Sequence, residues 1–165
     1  MNEKDLKLSR EELQKIFMRD EKITDDVYRI APVWPVAGNG TLVITPEGLV
    51  VVDTGIAAEG PDRVRRIREK TDLPFHTIIY THGHGDHAGG VEAFIDDAKR
   101  RGNPPPRIIG QELLPARFDK YQMLAGRRQY ISRLQFPGRP TVQNTQGTPK
   151  PGPFIYPTAL YRDSM

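Results

Sequence analysis

Cysteine is absent from this chain of 165 residues. Disulfides, thiolate zinc sites and cysteine nucleophiles are therefore excluded together. No apolar run approaches the roughly 18 residues that a membrane span needs. The opening twenty residues are heavily charged and lack the apolar stretch of a secretory leader, which points to a cytoplasmic product. Aromatics make up only 8% of the chain, and no alternation of basic and aromatic residues marks a nucleic-acid surface, so no nucleic-acid partner is expected. The positive excess is small, a net charge of +3 with a pI near 9.2, which permits an anionic ligand without demanding one. Hydrophobic residues at 37% and charged residues at 27% describe a globular chain of one domain.

Along the chain, residues 1–26 form a charged arm. Ser9 and Glu12 make a capping box, and Leu13, Ile16 and Phe17 share one helical face. Strand patterns follow at 27–30, 41–45 and 49–53, with Pro46-Glu47-Gly48 turning the last two into a hairpin. The apolar run 49–52 predicts a strand buried on both faces. A helix at about 60–70 turns Val64 and Ile67 inward and Arg63, Arg65, Arg66 and Arg68 to solvent. A strand at 77–81, a helix at about 91–100, a strand at 107–110 and a helix at about 111–125 complete the pattern. Strands alternating with helices give an α/β layered fold. From 137 to 165 the chain turns rich in proline and glycine, and the periodicity stops.

All four histidines lie between 76 and 87, and three fall in the heptapeptide Thr81-His82-Gly83-His84-Gly85-Asp86-His87. Imidazole is the commonest metal ligand and a carboxylate adds a hard oxygen. Four donors in six residues, directly after a strand, point to a metal site. Gly83 and Gly85 allow the tight turns that bring neighbouring imidazoles together. A nitrogen and oxygen donor set without thiolate suits Zn2+, Mn2+ or Fe2+. His76 lies outside the cluster and reads as an ordinary surface histidine.

Residues 81–90, THGHGDHAGG, resemble the T-H-x-H-x-D-H motif of the metallo-β-lactamase superfamily. The strand and Asp-Thr-Gly turn at 49–55 resemble the segment that precedes that motif in the family, and the resemblance spans about residues 27–110. It implies an α/β (α+β layered) αββα sandwich, of which residues 27–136 would be the N-terminal half. It implies a two-zinc site, with Mn2+ or Fe2+ as alternatives. His82 and His84 would ligate the first metal, and Asp86 and His87 the second. Asp86 would also act in catalysis by orienting the attacking hydroxide, and Asp53 would order the loop from behind. The implied chemistry is attack of a metal-activated water on an ester-type bond of a small molecule.

The segments 108–121, 127–130 and 155–158 are similar to the region after the motif in alkyl-sulfatase-like members, which favours a sulfate ester. Gln111 departs from the His that many relatives carry there. Arg117, Arg127 and Arg128 are candidate sulfate contacts. The family needs further ligands, and no histidine follows His87. Two ligands per metal fall short of the usual three. The chain therefore reads as the N-terminal part of a longer enzyme. The alternative is a non-catalytic metal-binding or partner-binding remnant that completes its fold with another chain, for which a homodimer is a candidate.

Overall fold

The computed structural model describes residues 12, 18–33, 38–135 and 154–164. Ser9 of the capping box, the shared helical face at 13–17 and most of the segment 137–157 lie outside them. Seven strands form one mixed sheet in chain order: β1 (Glu21–Lys22), β2 (Val27–Ile30), β3 (Gly40–Thr45), β4 (Gly48–Val52), β5 (Phe75–Ile79), β6 (Arg107–Gln111) and β7 (Ala159–Tyr161). β1 to β4 pair antiparallel, and β4 to β7 pair parallel. The change occurs after the β3–β4 hairpin, where helical crossovers begin, which parallel neighbours require. These crossovers carry α1 (Gly60–Arg68), α2 (Gly85–Ala88), α3 (Val91–Arg100), α4 (Leu114–Met123) and α5 (Ala125–Gln135).

One face of the sheet carries the core. Leu42, Val51, Ile78 and Ile108 stand side by side across four strands in direct register, each 2% exposed or less. Val64 and Ile67 of α1 and Val91 and Phe94 of α3 cover them, and Phe94 meets Phe75 edge-on with centroids 4.9 Å apart. The period of two places Val43, Val50, Val52, Ile79 and Ile109 on the other face, where each is only partly buried. The expectation that β4 is buried on both faces is thus corrected: burial is complete on the helix side alone.

Four elements escaped the sequence pattern: the two-residue β1, the one-turn α2, α5 and β7. α5 exposes Tyr130 and Leu134, each at 65%, so it has no clean apolar stripe to announce it. β7 is short, and it is held by contacts from far upstream. Thr158 Oγ1 accepts from the Ile108 amide at 2.9 Å, and Tyr80 donates its hydroxyl to the Ile155 carbonyl at 3.2 Å. Burial raises the Tyr80 pKa, so its hydroxyl stays a proton donor.

Arg63 was expected on a solvated helix face and is instead buried at 1% exposure. Its Nη2 donates to Glu59 Oε2 at 3.0 Å and to the Gly38 carbonyl. Gly40 and Gly55 make room for it: a Cβ on either would lie within 3 Å of the guanidinium. Arg66 and Arg68 are spent in ion pairs with Asp20 and Asp97. Only Arg65 keeps the predicted exposure, and it too pairs with Asp62 and Glu69.

Candidate metal centre

The histidine loop leaves β5 at the end where parallel strands open toward their crossovers, the usual place for a site in such sheets. The turn after β4 lies beside it. Asp53 has φ of 60°, a left-handed conformation that Asp tolerates better than most residues. That turn aims its buried carboxylate back at the loop. Oδ1 accepts from the Thr81 amide at 2.9 Å, and Oδ2 accepts from the Thr81 hydroxyl at 2.7 Å and from His87 Nδ1 at 2.7 Å. The Thr54 amide and hydroxyl both reach the His87 carbonyl, at 2.6 and 3.1 Å. Gly90 is required here, because its Cβ would sit 2.3 Å from the Thr54 oxygen. The two motifs, 34 positions apart, thus form one unit.

The structure brings the three motif histidines together. The His82 ring lies 4.6 Å from that of His84 and 4.0 Å from that of His87, centroid to centroid. Gly38 presses on the far side of His87, where a Cβ would fall 2.5 Å from ring Cε1. Asp86 Oδ2 stands 3.6 Å from His87 Nε2. His76 is exposed and, among the described residues, bonds its neighbour Thr77 at 2.8 Å, as expected of a surface histidine.

The hydrogen bonds set the proton positions of the neutral rings. Arg117 can only donate, so His84 Nε2, 3.2 Å from its Nη2, accepts. His84 Nδ1 then carries the proton and donates to His82 Nε2 at 2.9 Å. His82 Nδ1–H faces Thr81 Oγ1 at 3.0 Å, and the Thr81 hydroxyl donates in turn to Asp53 Oδ2 at 2.7 Å. The chain of bonds runs in one direction from Arg117 to Asp53. His87 faces Asp53 through Nδ1 and Asp86 through Nε2.

The donor set fits a divalent cation in part. His82 Nε2 and His84 Nδ1 are about as close as two nitrogens around one tetrahedral zinc, which stand roughly 3.3 Å apart for bonds of about 2.05 Å. Ligation through His84 Nδ1 would move its proton to Nε2 and set two donors, that N–H and Arg117, against each other. Among the described residues, no group of three or more His, Asp or Glu is placed to hold a metal ion.

Arg117 belongs to the site by contact, 33 positions from its partner histidine. Its Nε donates to the Tyr121 hydroxyl at 2.8 Å, and its guanidinium lies 5.0 Å over the Tyr121 ring, which itself stacks on His84 at 6.1 Å. Gln111 ends β6 and accepts from the Leu113 amide at 2.6 Å, so it turns the chain into α4. Arg127 is exposed on α5. Sequence reasoning missed Glu59, Gly38 and Tyr121.

A mixed sheet layered with helices, with a histidine-rich loop at its parallel end, defines a class of α/β proteins. The Metallo-beta-lactamase superfamily profile matches residues 33–158, and the chain belongs to that family. Among curated proteins it is similar to a linear primary-alkylsulfatase of a Pseudomonas species, 39% identical over 77 residues. That match takes in 44% of this chain and 14% of the relative. An alkyl/aryl-sulfatase of Saccharomyces cerevisiae is 33% identical over 79 residues, 47% of this chain and 12% of the relative. The matched region is thus a small part of both relatives. Among solved structures, a metallo-β-lactamase of Cronobacter sakazakii has a TM-score of 0.55 at 18% identity, covering 92% of this chain and 50% of that one. The inverting sec-alkylsulfatase of a Pseudomonas species has a TM-score of 0.54 at 23% identity, covering 65% of this chain and 17% of that one. These structures speak for the fold. No helix among the described residues is long and apolar enough to cross a membrane.

Proposed function

We propose that this chain carries the metal-binding part of a hydrolase that cleaves an ester-type bond, with alkyl sulfate esters as the substrate class. The observation that carries this reading is the histidine loop fastened to the end of β4 by Asp53, with three imidazoles in mutual contact. The names of both curated relatives support the sulfate ester. His82, His84, Asp86 and His87 are the proposed ligands, and Zn2+ is the proposed ion. A bound pair of such ions would supply Lewis acidity, lowering the pKa of a water and steadying the charge that develops on the attacked group. Asp53 keeps His87 in the Nδ1–H form, with Nε2 as the proposed ligating atom. Asp86, half-buried beside His87, orients the attacking water.

A second reading rests on the missing donors. No histidine follows His87, and no three described donors stand ready for one ion. On that reading the chain alone holds metal weakly and turns over little, and further ligands come from another polypeptide, a second copy included. Metal content per chain after gel filtration, with His84→Ala as control, tests the metal site. Sulfate release from hexyl sulfate, against a thioester and a lactam, tests the substrate class. Zinc uptake indifferent to His84→Ala would overturn the metal assignment. Zinc-dependent turnover by this chain alone, abolished in His84→Ala, would overturn the second reading.

A further inference from the structure

A cleft of about 340 Å³ opens beside the histidine loop, between Thr81-His82-Gly83 and the start of α4. Its far wall is apolar: Leu114 belongs to the core, whereas Leu113 is 69% exposed, a large value for a leucine beside a polar site. Its mouth is cationic. Arg117 sits there on the backbone of Gly83, where a Cβ would come within 3.1 Å of its Cδ. None of the lining residues is acidic, so nothing in the cleft repels an anion. Gln111 commits its side-chain oxygen to Leu113, which leaves its amide group as a donor at the same wall.

We propose that this cleft is a binding site for an amphiphilic anion, with Arg117 holding the charged head and Leu113 and Leu114 receiving the apolar arm. The inference deepens the hydrolase reading, since it places the substrate's head beside His82 and His84. Tyr121 makes the guanidinium a prepared group: it fixes Nε by a hydrogen bond and supports the cation from its ring face. The remaining bond, from Nη2 to His84, is to a neutral acceptor at 3.2 Å, the weakest of its contacts. An anionic oxygen is the stronger acceptor and displaces it.

The test is binding, not turnover. Octanesulfonate, which offers no ester to hydrolyse, is titrated calorimetrically into the full chain without metal, and its contacts are mapped by amide chemical shifts. Binding is expected with shifts at Thr81, Gly83 and Leu113. Arg117→Gln is expected to weaken it about 10- to 100-fold, the value of a charge-assisted pair, with the thermal melt unchanged. Arg117→Lys is expected to recover part of the loss. Each methylene removed between octane- and butanesulfonate is expected to cost about fourfold in affinity, and Leu113→Asn to flatten that dependence. Equal affinity in Arg117→Gln, or shifts confined to another surface, overturns the proposal. Sulfonate binding without any sulfate-ester hydrolysis leaves the cleft standing and overturns only the sulfatase reading. Zinc uptake and hydrolysis with Michaelis constants indifferent to Arg117→Gln do the reverse.

Discussion

Replacing Arg63 by methionine probes what holds the site from beneath. In the folded chain its guanidinium and the Glu59 carboxylate are both 1% exposed and 3.0 Å apart. Burial lowers the Arg63 pKa, and the Glu59 charge works against that fall. Glu59 also accepts from the Val33 amide at 2.9 Å, and the same Arg63 Nη2 that pairs with Glu59 holds the carbonyl of Gly38, the residue pressed against His87. Methionine fills similar space but leaves a buried carboxylate without its counter-charge, a change that costs about 3–5 kcal/mol. Among the described residues, Arg63 Nε and Nη1 are buried without hydrogen-bond partners, and their removal offsets some of this, which favours the lower end, about 3 kcal/mol. For a chain of this size the melting temperature should fall by about 6–12 °C. Adding Glu59→Gln should recover most of the loss, because the pair is then removed as a unit. Thermal unfolding followed by circular dichroism measures both variants. A fall of less than about 2 °C in Arg63→Met, or a double variant no more stable than the single one, would refute the reasoning.

Asp53→Asn keeps a residue that tolerates the positive φ but loses the charge facing His87. Zinc affinity should drop about 10- to 100-fold, read by competition with a chromophoric chelator, while the melt moves little. An unchanged affinity would show that Asp53 merely shapes the turn. Gly38→Ala should push the His87 ring, since the new Cβ would start 2.5 Å from Cε1; the His87 Hε1 resonance reports the displacement, and an unmoved signal counts against the contact. Asp62 supplies a pH dependence. Burial raises its pKa, but hydrogen bonds from Arg65 and Arg66 outweigh that and leave it below the ordinary 3.8. Its stabilising contribution is therefore complete above pH 3.8 and lost as the pH falls through the lower folded-state value. Urea midpoints of the chain and of Asp62→Asn should differ at pH 7 and converge near pH 2; a gap that persists at pH 2 would refute the assignment.

The histidine loop was legible because its chemistry is contiguous: seven residues hold every donor the loop offers, and two glycines permit the turns. The β3–β4 hairpin was legible for the same reason, as its register is set by a local turn. Asp53 could be placed next to the loop only through the family resemblance; its left-handed backbone and its three hydrogen bonds appear in the folded chain alone. α5 and β7 carry no local signal, since one lacks an apolar stripe and the other is stabilised by residues fifty positions upstream.

What the sequence by itself determined was the class of chemistry: no thiolate, a nitrogen and oxygen donor loop, and a strand to deliver it. Which arginine does what was decided by the tertiary structure. Four arginines within six residues of α1 look alike in sequence. Only the packing of Gly38, Gly40 and Gly55 makes a chamber that buries Arg63 and leaves Arg65 in water. Arg117 is one of three candidate sulfate contacts in the sequence, and only the approach of α4 to Gly83 sets it apart by laying it against His84. A side chain's own chemistry is local, whereas its burial and its partners depend on which distant segments the fold brings within a few ångströms.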